Sequence, residues 1–189
     1  MKEEWQLYDN LARPIPGKGS SKNDVYTKRL LHGSVHVWMY RINSKNEIEV
    51  LLQKRSSEKR TWPDYYDATV GGHINLGEEP LTTVHRETKE EIGLDIDVNN
   101  LEFIFSTHID IEIDSANNFE NEFRWEYLYK PKNDESFLLA DGEVDSLAWM
   151  PIEELRNVSL HSATSFKIVP QGRDYFIMLL TAIERVCKK

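Results

Sequence analysis

Three glutamates, Glu87, Glu90 and Glu91, are spaced so that a helix would carry all three carboxylates on one face. Like charges at that spacing repel by about a few tenths of a kcal/mol per pair, so the cluster invites a cation. An all-oxygen, highly charged donor set suits Mg2+ or Mn2+ rather than zinc. Around the three stand Gly72, Glu78 and Arg86, in a stretch that reads GHINLGEEPLTTVHRETKEEIGL from Gly72 to Leu94. Arg86 precedes Glu90 by one helical turn and can orient it through an ion pair. Glu78 lies in a loop from which it can swing back to the cluster, and Gly72 permits a tight turn before that loop. A merely solvated helix face would mix charge signs and would not need Gly72 or Glu78 at fixed distances.

These side chains need a framework to hold them. Residues 80–92 are expected to form the helix, with Pro80 suited to its first turn and Gly93 to the left-handed position that ends it. Leu81, Val84, Thr88 and Ile92 would face a sheet, with the Thr88 hydroxyl bonding back to a carbonyl of the preceding turn. Strands are expected at 34–42, 48–55 and 68–72, with a turn at 43–47. A long strand pair at 103–113 and 119–130 would be joined by a turn at 114–118, and a further strand would cover 144–150. A short helix at 151–156 and a last helix at 174–188, with Phe176, Leu179, Ile183 and Val186 on one side, complete the pattern. At the N-terminus, 5–9 and 11–15 look like a hairpin and 17–23 like a flexible polar loop. The expectation is one α/β domain over 1–189, with a hairpin extension at 1–30 and a C-terminal helix at 171–189.

Composition narrows the function classes. Lys and Arg number 23 against 32 acidic residues, a net charge of -9, and no basic block is large enough to track a nucleic-acid backbone. Cys187 is the one cysteine, so no internal disulfide can form and a reducing cytoplasm is expected. No apolar run approaches membrane length, so no membrane partner is expected. The N-terminal hairpin and the long strand pair are edges that could join a second copy in a homodimer.

The Gly72 to Leu94 stretch resembles the signature of the Nudix superfamily: Gly72, Glu78, Arg86, Glu87, Glu90, Glu91, Gly93 and Leu94 fill its defined positions, and Thr88 alone departs, standing where an aliphatic residue is usual. The resemblance implies a Nudix-type α/β/α sandwich with a mixed central sheet. From about His32 to Leu155 the chain is also similar to the type I isopentenyl diphosphate isomerases and the hydrolases nearest them. That similarity rests on LLQKRSSEKRTWPDYYDATVGGH, on Asn121 to Phe123, and on EVDSLAWMPIEEL ending at Leu155. In those isomerases a metal sits on histidines and glutamates, and the matching positions here are His32, His73, Glu120 and Glu122; a fifth histidine is replaced by Val25. Two departures tell for hydrolysis. The isomerases place a Cys directly before the Gly-His pair, where this chain has Gly71, and their signature is degenerate where this one keeps its carboxylates.

The resemblance thus implies metal-assisted attack of water on a small diphosphate, such as a nucleoside diphosphate linked to another group. Glu87, Glu90 and Glu91 would hold Mg2+ or Mn2+, with Gly72, Glu78, His73 and Glu120 as further residues of the metal site. Glu87 is the first candidate for general base and Glu122 the second, with Arg86 and Glu91 completing the catalytic set. Lys54, Arg55, His32 and Trp62 are the candidates for substrate binding; Lys59 and Arg60 are as readily solvated as functional. His36 is expected to pack or face solvent, Trp38, Trp125 and Trp149 to be core, and Glu143 to support a strand start. Selectivity would come from the loops at 17–26, 60–67 and 114–122. Two alternatives stand beside hydrolysis: an isopentenyl diphosphate isomerase-like activity, and a non-catalytic ligand-sensing module.

Overall fold

The computed structural model describes residues 3–59, 61–114, 118–132, 135–139, 142, 144–161 and 166–188. Arg60, Glu143 and the centre of the 114–118 turn lie outside the described residues. In chain order the elements are β1 (Trp5–Tyr8), β2 (Pro14–Ser20), α1 (Lys22–Thr27), β3 (His32–Ile42), β4 (Ile48–Arg55), β5 (Tyr66–Asp67), β6 (Val70–His73), α2 (Pro80–Ile92), a 3-10 turn (Val98–Asn100), β7 (Glu102–Asp114), β8 (Asn118–Tyr129), β9 (Val144–Pro151), α3 (Ile152–His161) and α4 (Arg173–Cys187).

Strand β3 organises the sheet. From His32 to Tyr40 it is buried throughout, as befits a central strand of β-branched and aromatic residues. It runs parallel to β8, with His32 opposite Glu122 and Met39 opposite Tyr129. Along its other edge it meets β1 at Leu7, then β6, then β4, all antiparallel. Strands β9 and β5 add to β4, and β7 adds to β8, so the sheet is mixed. The outer edge of β7 has no partner strand among the described residues, and Phe103 and Ile111 are exposed on that strand.

Each face of the sheet carries a core. One packs Val35, Val37, Met39, Leu51 and Val70 against Val84 and Ile92 of α2. The opposite face packs Trp38, Tyr40, Val50 and Leu52 against Leu155 of α3 and Phe176, Leu179, Leu180 and Ile183 of α4. Helices on both faces of a mixed sheet make the expected α/β/α sandwich.

Four local expectations are corrected. The stretch 17–23 is not a loop: it holds the end of β2 and the start of α1, because Ser21 caps that helix by accepting from the Asp24 amide. The second hairpin strand begins at Pro14 rather than residue 11, since the Asp9 carboxylate gathers the amides of Leu11 and Arg13 into a turn. Leu81 is exposed on α2, and Thr83 takes the buried position in its place. The helix after β9 runs on to His161 instead of stopping at 156. Among the described residues no helix is long and apolar enough to cross a membrane.

Candidate active site

Helix α2 packs Val84 and Ile92 on the first core and lays Glu87 and Glu91 against Gly72 and Gly71. Pro80 opens the helix, and Gly93, at φ 68°, closes it with its amide bonded to the carbonyls of Lys89 and Thr88. The Thr88 hydroxyl donates back to the Val84 carbonyl at 2.7 Å, which lets a polar residue sit in an otherwise apolar stripe.

Arg86 is the hub of this helix. Its guanidinium takes Glu78 in a fork (Nε to Oε1 and Nη2 to Oε2, each 3.0 Å), Glu87 at 2.7 Å, Glu90 at 3.0 Å and the His73 carbonyl at 3.0 Å. Glu78 also accepts from the Thr83 hydroxyl and the Asn75 amide, so it fastens the loop before the helix. Glu78, expected among the residues of the metal site, is held by Arg86 in this structure. Glu90 extends towards solvent, while Glu91 is buried and accepts from the Gly71 amide at 3.2 Å. Glu87 lies flat on Gly72: a Cβ there would stand 2.0 Å from the Glu87 carboxyl carbon, so only glycine allows this approach. Burial, against the pull of Arg86, pushes the Glu87 carboxyl up to about 7.

A second cluster forms where β3 and β8 begin and β6 ends. The parallel register puts His32 beside Glu122, β6 brings His73 opposite Ser34, and Glu120 follows on the same face of β8. One donor atom from each of His32, His73, Glu120 and Glu122 lies within 4.8 Å of the others. The His32 Nε2 stands 3.4 Å from Glu120 and 3.6 Å from Glu122, and His73 Nε2 stands 4.0 Å and 3.9 Å from the same carboxylates. Donors that share an ion at about 2.1 Å stand about 3 to 4 Å apart, so the spacing fits a divalent cation. His32 Nε2 and Glu120 Oε1 are buried with no hydrogen-bond partner, a costly arrangement that a cation would relieve. Burial opposes the His32 charge, yet Glu120 and Glu122 outweigh it and raise its pKa, while burial lowers that of His73. Trp5 lies flat on His73, ring centres 3.5 Å apart, and α1 packs Val25 and Tyr26 behind it.

Gly71 and Gly72 separate the clusters, and beside them opens a cavity of about 370 Å³. It is lined by His73, Glu120, Glu122, Arg55 and Trp62, all anticipated, and by Gln53, Asp67, Arg124 and Gln171, which were not. Arg55 donates to Asp67 and to the Thr61 carbonyl; Trp62, held at φ 51°, stands at the cavity edge. Lys54 does not line it: its ammonium pairs with Asp64 and Asp145. Lys59 does not line it either. His36 is buried with its ring against Gly71, Trp38 is core, and Trp125 and Trp149 are partly buried against the first core. Strand alternation points to Arg124, two residues after Glu122 and ion-paired with it. No sequence signal announces Trp5, because its contact depends on the Gln6 amide meeting the Ile74 carbonyl.

The NUDIX domain family matches residues 31–171 of this chain. Nudix hydrolase 3 of Arabidopsis thaliana is 32% identical over 155 residues, 79% of this chain, and the chain spans only 20% of that protein's length. A Nudix hydrolase of Clostridium acetobutylicum is 32% identical over 182 residues, covering 93% of this chain and 85% of its own. Isopentenyl-diphosphate Delta-isomerase 2 of Photorhabdus laumondii is 26% identical over 157 residues, covering 82% and 81%. Among solved structures, DR0079 from Deinococcus radiodurans superposes with a TM-score of 0.66 over 99% of this chain and 100% of that one, at 18% identity, which shows a shared fold.

Proposed function

This chain belongs to the Nudix family, and from that premise we propose that it is a pyrophosphohydrolase cleaving a small diphosphate with the help of a divalent cation. The observation that carries the reading is the pair of buried atoms without a hydrogen bond, His32 Nε2 and Glu120 Oε1, inside a four-residue donor cluster at a cavity lined also by Gly71 and Gly72, on which Glu91 and Glu87 rest. His32, His73, Glu120 and Glu122 would hold the cation, and Glu87, Glu90 and Glu91 would supply oxygens for Mg2+ or Mn2+ at the phosphates. A bound divalent cation neutralises phosphate oxygens and makes water more acidic.

The chain's own groups divide the remaining work. Arg55 and Arg124 line the cavity with guanidinium groups that can meet phosphate oxygens. Glu87, whose carboxyl burial pushes up to about 7 in the cation-free protein, can accept the proton of an attacking water. Glu122 is less suited to that role, since Arg124 binds one of its oxygens and the other faces both histidines. The Gly71 amide and Arg86 fix Glu91 and Glu87 respectively, so neither carboxylate must be ordered when substrate arrives.

An isomerase reading would need a thiol at position 71. A Cβ there would stand 2.9 Å from the His36 ring, and Cys187 lies at the end of α4, packed against the second core. The test is release of phosphate or a monophosphate from a panel of nucleotide sugars, dinucleotides, nucleoside triphosphates and isoprenoid diphosphates, with Mg2+ or Mn2+ and then with chelator. Turnover should vanish with chelator and in Glu91→Gln. Full turnover in that variant, or conversion of isopentenyl to dimethylallyl diphosphate instead of hydrolysis, would overturn the reading.

A further inference from the structure

Past Gly71 the cavity continues along the face of the sheet that α4 covers, and its floor carries polar groups that the cation cluster leaves unused. Gln53 is 4% exposed, lines the cavity, and its amide makes no hydrogen bond among the described residues. His36 turns Nδ1 towards the Tyr175 hydroxyl at 3.5 Å and Glu126 at 3.6 Å. Glu126 is itself anchored by the Trp38 indole N–H at 3.0 Å. A carboxylate on the Nδ1 side favours the tautomer protonated there, which leaves Nε2 as an acceptor. That Nε2 lies 3.2 Å from where a Cβ on Gly71 would be and has no protein partner among the described residues. Gln171 accepts from Arg124 at 2.7 Å, which leaves its NH2 to donate.

The two guanidinium groups at this floor are the ones proposed to meet phosphate, and each already has a carboxylate partner. Arg55 is paired with Asp67, and Arg124 with Glu122. What remains on offer is neutral: a donor and an acceptor on Gln53, an acceptor on His36 and a donor on Gln171. Trp62, Ile109 and Ile111 supply apolar walls. A hydroxyl both donates and accepts, so several hydroxyls on one ring satisfy such a set.

We infer that this floor is the subsite for the group attached to the diphosphate, and that this group is a neutral hydroxylated one, a sugar, rather than a hydrocarbon tail. The inference rests on the diphosphate-cleaving reading of the same cavity. A hydrocarbon laid over Gln53 and His36 would strand a desolvated amide and an imidazole, each unmet group weakening binding about tenfold to a hundredfold. Sites built to bond substrate hydroxyls reject analogues that lack them by up to about ten-thousandfold.

The test compares kcat/KM for UDP-glucose and ADP-ribose with that for isopentenyl diphosphate, in wild type and in Gln53→Leu, which keeps the volume and removes the amide. The sugar compounds should be favoured by about a hundredfold or more, and Gln53→Leu should cut that ratio at least about tenfold with an unchanged melting temperature. Should Gln53→Leu fail to fold, Gln171→Leu, in the loop before α4, should lower the ratio in the same direction. Preference for isopentenyl diphosphate, or an unchanged ratio in the folded variant, overturns the inference. If no diphosphate is cleaved at all, the hydrolase reading fails by itself. Calorimetric binding then decides the subsite: UDP-glucose binding more tightly than isopentenyl diphosphate, and weakened in the variant, supports it, and equal or reversed affinities sink it.

Discussion

Two acidic clusters face each other across Gly71 and Gly72, and they solve the problem of gathered carboxylates in opposite ways. On α2 and the loop before it, Glu78, Glu87 and Glu90 all close on one guanidinium, which offsets part of their repulsion inside the protein. Where β3 and β8 begin and β6 ends, two glutamates meet two histidines, and two of the donor atoms, 3.4 Å apart, make no hydrogen bond although buried. The first arrangement has a cation of its own, the Arg86 guanidinium; the second has two histidines that carry charge only when protonated. In the proposed reading the strand cluster holds a cation by itself, and the carboxylates of α2, already fixed in place, add oxygens at the phosphates.

The comparison breaks most readily at the strand cluster. Glu120→Gln removes an unpaired oxygen while keeping its shape, and it should lower kcat/KM by about a thousandfold or more. The same change should abolish the rise in melting temperature that Mn2+ gives the wild type, since an ion stabilises only a fold that binds it. A cation-induced rise of full size in Glu120→Gln would place the ion on α2 instead.

Glu87→Gln tests the other side. Loss of the general base should cost about a hundredfold to a thousandfold in kcat while the Mn2+-induced rise persists. In wild type the rate should fall as pH drops, because the base must be unprotonated, and the variant should lack that limb. Stability runs the other way. The folded pKa is raised, so the stabilising contribution is present below the unfolded value of 4.5 and is lost as pH rises through about 7. Cation-free wild type should therefore weaken over that window by at most about 3 kcal/mol in chemical denaturation, and Glu87→Gln should not.

The two clusters were not equally legible in the sequence. Glu87, Glu90 and Glu91 share a face through the helical repeat, a local property, and Arg86 to Glu90 follows from the same repeat. The strand cluster draws on His32, His73 and Glu120, far apart in the chain, and what joins them is the parallel register of β3 and β8, which no local pattern states. Only family resemblance brought those four together in advance. Lys54 shows the converse: its place at the end of β4 suggested the site, while its ammonium pairs with Asp64 and Asp145, partners that no local pattern states. The grip of Arg86 on Glu78 was hidden as well, since it depends on how the loop at 74–79 folds back over α2.

Arg86 sharpens the contrast by a smaller effect. Arg86→Gln leaves Glu78, Glu87 and Glu90 facing one another without a cation, and it frees the His73 carbonyl. Because the arginine is partly open to solvent, the cost should be about 2 to 3 kcal/mol, below that of a fully buried pair. Added Mg2+ should recover part of it by replacing the lost charge. A variant as stable as wild type without cation would show that α2 is not internally balanced.

The seam between the clusters gives the smallest effect and separates steric from chemical roles. Gly71→Cys would restore the residue type found at this place in the isomerases, yet its Cβ would press within 2.9 Å of the His36 ring, which Glu126 and Tyr175 hold from behind. Overpacking of that size costs about 1 to 2 kcal/mol, or about 2 to 8 °C in melting temperature for a domain of this length. The neighbouring position behaves differently, because a Cβ at Gly72 would collide with the Glu87 carboxyl at 2.0 Å and displace the proposed base itself. Gly72→Ala should therefore lose activity out of proportion to its stability, whereas Gly71→Cys should lose stability in step with activity and gain no isomerisation. Allylic rearrangement by Gly71→Cys, measured with isopentenyl diphosphate, would mean that the strand cluster is already set for isomerase chemistry and that the carboxylates of α2 do not decide the reaction.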